Sequence, residues 1–140
     1  MFGWFTRRKP EPLVFSDSLE AFSYACGQSE NRLLVNAVLP ALVVEQGRMG
    51  EEGERYFLLR LATDTGEKKI WACTLKEATD FPGIGDFVGF RVVKIASDLP
   101  EDVNLIGYVA FKLLPEYVKS KGWRISSSYT PPDIKPELHM

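Results

Sequence analysis

Apolar residues recur along this chain in two rhythms. Around residues 16–26 the step is helical: Phe15, Leu19, Phe22 and Cys26 lie four, three and four positions apart, so a helix carries them on one stripe. Asp17 with Glu20 three residues on reads as an N-cap with an acidic capping-box partner, and Gly27 ends the helix. From Arg32 onward the step becomes two. Residues 32–45 predict a long strand that bends, bulges or lies at an edge at Pro40, because proline donates nothing to a ladder. A polar, glycine-bearing loop over 46–54 is long for a hairpin and expected to be mobile. In 55–63, Phe57, Leu59 and Leu61 share one face, while Tyr56, Leu58 and Arg60 share the other. Asp64-Thr65-Gly66 is a turn signal, and the returning strand 68–75 sets Ile70, Ala72 and Thr74 against Lys69, Trp71 and Cys73. A connector over 76–84 leads to strand 86–96, where Val88, Phe90 and Val92 alternate with Phe87, Gly89, Arg91 and Val93. An acidic loop over 97–104 precedes a fifth strand, 105–114, with Leu105, Val109, Phe111 and Leu113 on one face. Residues 116–121 read as one helical turn ended by Gly122.

Five strands that are dry on one face gain most by curling closed. One long bent strand, a hairpin, a connector and two further strands, with Gly85-Asp86 opening the fourth, resemble the OB-fold over residues 32–114. The expected fold is therefore mainly β: a five-stranded curled antiparallel sheet or small OB-like barrel with a short N-terminal helix. SH3-like barrels and open α+β sheets share the same rhythm. Residues 1–12 form an arm in which Pro10 and Pro12 stop any helix, 13–125 form a single domain, and 126–140 form an extended or disordered tail.

Composition narrows the classes. A chain of 140 residues, 45 % apolar and 26 % charged, builds one core without a disulfide or a metal. Its net charge of −2 weakens the case for a polyanionic partner. Cys26 and Cys73 belong to no CxxC pair and read as small buried hydrophobes in a reducing compartment. At the N-terminus the apolar residues precede the basic ones, the reverse of a secretory signal. The longest apolar stretch, 33–44, is broken by Asn36 and Pro40 and is too short to span a bilayer, so a cytoplasmic location is expected.

Catalytic chemistry finds little support. His139 is the sole histidine and sits beside the C-terminus, which argues against Ser-His-Asp and Cys-His mechanisms and against multi-histidine metal sites. Asp64, Asp80, Asp86, Asp98 and Asp102 fall in turns and loops, where capping is their ordinary work, although a converging pair would serve acid–base chemistry or a hard cation. Gly83-Ile84-Gly85-Asp86 reads as a turn into a strand rather than a phosphate loop. No enzyme activity, cofactor or metal is expected.

Two sets of residues suggest binding. Tyr56, Arg60, Lys69 and Trp71 fall on the outward face of one hairpin, a mixture of rings and cations that suits a ligand, and Arg91, Tyr108 and Lys112 would extend it. Phe2, Trp4 and Phe5 with Arg7, Arg8 and Lys9 suit contact with a partner protein or an anionic membrane surface. Pro131, Pro132 and Pro136 suit an extended docking peptide. The expected function is a non-enzymatic interaction module for a protein partner or a second copy. The alternative is an OB-like single-stranded nucleic-acid binder.

Overall fold

The computed structural model describes residues 11–28, 30–51, 53–75, 81–96, 99 and 103–129. In chain order its elements are β1 (Leu13–Val14), α1 (Ser18–Gln28), β2 (Val38–Met49), β3 (Arg55–Thr63), β4 (Gly66–Thr74), β5 (Phe87–Ile95), β6 (Leu105–Val118) and β7 (Gly122–Ile125). Five of these close a ring. β2 pairs with β3, β3 with β4, β4 with β6, β6 with β5, and β5 returns to β2. The expected small barrel with a helix before it is the fold that forms. One junction departs from the antiparallel expectation: β4 and β6 run parallel, through Ala72–Leu105, Cys73–Ile106 and Thr74–Gly107. The cause is the connector after β4. It delivers β5 back onto β2 instead of onto β4, so β6, antiparallel to β5, must run in the same direction as β4.

Period-two alternation fills the interior. Phe57, Leu59 and Leu61 of β3, Ala72 of β4, and Val88, Phe90 and Val92 of β5 are buried in one cluster with Leu39, Ala41 and Val43 of β2. The Asp64-Thr65-Gly66 turn forms as read, with Gly66 at a φ of 106°, where an L side chain is strained. Pro40 lies opposite Gly89 of β5, and the β2–β3 ladder starts only after it, at Ala41–Leu61, so the missing donor falls where the β3 side of the strand is still unpaired.

Four expectations need correction. The first strand begins at Val38, not at 32, because Asn36 takes a φ of 73° and Ala37 donates back to Leu34 in a turn. The same strand runs on to Met49, so the expected loop shrinks to a tight turn in which the Gly50 amide donates to the Glu54 carbonyl. The last long strand continues through Pro115 to Val118, and residues 122–125 return as β7; Ser120, at a φ of 83°, makes the turn where a helical turn was expected. Within β6 the face also changes. Val109 pairs with Phe90 and Phe111 with Gly89, so Ala110 is an extra residue, and this bulge turns Phe111 and Leu113 away from the barrel interior.

Helix α1 covers the outside of the barrel. The Glu20 amide donates to Asp17 Oδ1 at 2.8 Å, the expected N-cap. Its buried face is Ala21, Phe22 and Ala25, resting on Leu42, Ala62 and Phe87. The two alanines let the helix approach closely, which rotates Leu19 outward to 51 % exposure instead of onto the expected stripe. Phe15, Tyr24, Phe87, Tyr117 and Trp123 stack beside it, with the Phe87 and Trp123 centroids 4.8 Å apart and edge-on. At the other side of β6 the chain beyond β7 stays attached. Ser126 donates to Lys112, and the buried Tyr129 ring donates its hydroxyl to the Val109 carbonyl at 2.7 Å. Among the described residues no helix is long and apolar enough to cross a membrane.

Candidate functional site

The β3–β4 register decides which side chains share the outward face. Tyr56 stands opposite Cys73, Leu58 opposite Trp71, Arg60 opposite Lys69, and Ala62 opposite Glu67. Tyr56, Arg60, Lys69 and Trp71 therefore lie on one surface, as the alternation of each strand requires.

Along that surface the environment changes. At the Ala62 end α1 is seated, and the Arg60 guanidinium lies 5.1 Å over the Phe22 ring. Arg60 also grips Glu67 with two hydrogen bonds, Nε to Oε2 at 2.7 Å and Nη2 to Oε1 at 2.8 Å. These bonds, opposed by partial burial, raise the Arg60 pKa and hold the Glu67 carboxyl below the ordinary carboxylate value. Arg60 is thus held between Glu67 and the Phe22 ring. Cys26 of α1 lies at the same end. Burial pushes its thiol upward, Glu67 adds to the rise and Arg60 opposes it, so it stays a protonated thiol at neutral pH. Cys73 is buried, and its thiol donates to the Thr74 carbonyl.

At the other end, Trp71 lies half-buried across the face and reaches β2. A Cβ placed on Gly47 would stand 2.9 Å from Cζ3 of Trp71 and 3.2 Å from Cβ of Tyr56, so only glycine admits the indole there. The register shift of β2 between Gln46 and Met49 brings this residue into place. Gly47 was hidden in an expected loop. Its signal, a glycine in a strand where another group approaches closely, becomes readable once β2 is known to run on. Glu45, exposed, stands opposite Leu58, and Lys69 is exposed. The open part of the face therefore presents Tyr56, Leu58 and Trp71 between one anion and one cation.

The expected extension is divided. Arg91 and Tyr108 face each other across β5 and β6, where Arg91 donates to the Asn36 carbonyl at 2.9 Å. Lys112 turns to Asp86 at 3.4 Å and to the Tyr129 ring. Asp86 also accepts from the Gly83 amide at 2.7 Å, the work of a turn aspartate. Asp64 lies in the β3–β4 turn, where its amide donates to the Asn31 carbonyl. Among the described residues no three His, Cys, Asp or Glu side chains group as a metal site. Phe2, Trp4, Phe5, Arg7, Arg8 and Lys9, the aspartates at 80, 98 and 102, Pro131, Pro132, Pro136 and His139 lie outside the described residues. Comparison of the chain with protein-family models, with curated proteins and with solved structures finds no match.

Proposed function

We propose that this barrel is a non-enzymatic binding module that takes a peptide segment of a partner protein on the open part of the β3–β4 face. The observation that carries the reading is the setting of Trp71: an indole laid over a glycine, flanked by Tyr56 and Leu58 and only half-buried. Tryptophan and tyrosine held in this way are the residues that dominate protein interfaces, because they offer a large contact area at little entropic cost. The charge pattern favours a peptide over a phosphate backbone. Arg60 is neutralised by Glu67, Glu45 stands beside Leu58, and the chain is net acidic.

The closed ring and its strand order support an OB-like reading, and OB barrels bind oligonucleotides on the corresponding face. Trp71 and Lys69 are residues on which a single strand would stack and pair. A single experiment separates the two ligands. Peptides selected from a random display panel on the folded protein are titrated against wild type and Trp71→Ala, beside mixed single-stranded oligonucleotides at low salt. The expected outcome is saturable peptide binding weakened at least tenfold in Trp71→Ala, with no oligonucleotide shift. Salt-sensitive oligonucleotide binding that Trp71→Ala abolishes would transfer the face to nucleic acid. Peptides indifferent to the substitution would remove the reading altogether.

A further inference from the structure

The open part of the β3–β4 face carries its two charges at opposite corners. Leu58 of β3 stands opposite Glu45 of β2 on one side and Trp71 of β4 on the other, so these three residues form one row across the strands. The shift in pairing between Val43 and Glu45 sets Glu45 on this outward face. Lys69 lies two residues before Trp71 on β4 and is exposed, as Glu45 is. Two strand spacings across and two residues along separate Glu45 from Lys69 by roughly 12 Å. The half-buried Leu58 and Trp71 lie between them.

Neighbouring charges are already matched. Arg60 engages both oxygens of Glu67, and Lys112 reaches Asp86. Lys69 also acts on the Glu67 carboxylate, but Arg60 holds both of its oxygens. Among the described residues neither Glu45 nor Lys69 joins an ion pair. An extended peptide rises about 3.3 Å per residue and turns every second side chain to the same surface, so positions i, i+2 and i+4 cover about 13 Å. That length reaches from Glu45 to Lys69 and leaves one side chain for the apolar middle.

We propose that the segment bound on this face is extended and carries a basic residue over Glu45, an apolar residue over Leu58 and Trp71, and an acidic residue over Lys69, at alternate positions. The inference rests on the peptide reading above and adds the identity of the side chains. The indole reaches Gly47, two residues along β2 from Glu45, so the basic residue also comes close to an aromatic ring, whose face attracts a cation. Charges at the rim of such a surface select among partners and set their register.

Short random peptides are displayed against the folded wild-type protein, and the selected ones are titrated against wild type, Glu45→Lys and Trp71→Ala. Peptides selected on wild type should carry a basic and an acidic residue four positions apart, with an apolar residue midway. Glu45→Lys should weaken them at least about fivefold. Exchanging the peptide's basic residue for Glu should restore binding to Glu45→Lys and weaken binding to wild type. A loss that the exchanged peptide does not repair would overturn the inference, because it would trace to the fold instead of the charge. Peptides that depend on Trp71 but lack the pattern, or are indifferent to Glu45→Lys, would overturn it too and leave the peptide reading standing. Peptides indifferent to Trp71→Ala would remove both.

Discussion

The two ends of the β3–β4 face are built from the same kinds of residue and arrive at opposite conditions. At one end Arg60 and Phe22 meet, a cation over a ring, and both are consumed: Phe22 is fully buried and Arg60 is held by Glu67. At the other, Trp71 and Tyr56 lie beyond the Arg60–Lys69 pair without a helix seated on them, and the support for the indole comes from the backbone of β2. Residue type on an outward face therefore does not distinguish an open surface from a helix dock. What distinguishes them is whether another element brings a counter-charge and an apolar partner to the same place.

Substitutions at the two ends should separate in size. Phe22→Ala deletes the anchor of α1 and should cost about 3–5 kcal/mol, the range for a buried aromatic, measured as a fall in urea midpoint at constant m-value. Trp71→Ala removes a half-buried ring and should cost no more than about 2 kcal/mol. If it costs as much as Phe22→Ala, Trp71 is core and the contrast between the ends disappears. Gly47→Ala should cost about 1–2 kcal/mol through overpacking and displace the indole, seen as a shift in tryptophan emission; an unchanged spectrum would show that the ring does not depend on β2. Glu67→Gln should cost less than about 1 kcal/mol, because the pair is near the surface. Its pH dependence is the sharper reading. With the Glu67 pKa depressed in the folded state, the pair stabilises the protein above the ordinary carboxylate range and loses that contribution as the pH falls through the lowered value. Glu67→Gln should flatten that part of the acid limb.

Much of this was readable in the chain. Alternation in 55–63, 68–75 and 86–92 assigned the inner and outer faces correctly, since a closed barrel buries every second residue and allows no slippage. The same rule failed in 105–114, where a single extra residue at Ala110 exchanged the faces, and no local feature of Phe111 or Leu113 announces it. The helix was found, and Phe15, Phe22 and Cys26 of its stripe pack against the barrel; Leu19 turns outward instead, and periodicity did not mark the buried Ala21 and Ala25. β1 and β7 were missed because both are short and supported by pairing with β6 more than by their own composition. At the candidate site the shared face was legible from strand parity. The neutralisation of Arg60 was not, since Glu67 follows it across a turn and Phe22 comes from a distant helix.

The parallel junction between β4 and β6 also governs how the molecule can come into being. Ala72 cannot meet Leu105 until the chain between them has been made and folded across the end of the barrel. Contacts so remote in sequence raise contact order, and domains dominated by them reach the native state slowly, in milliseconds to seconds. During that interval the amides and carbonyls along one side of β4 have no neighbouring strand, a template on which a second nascent molecule can assemble.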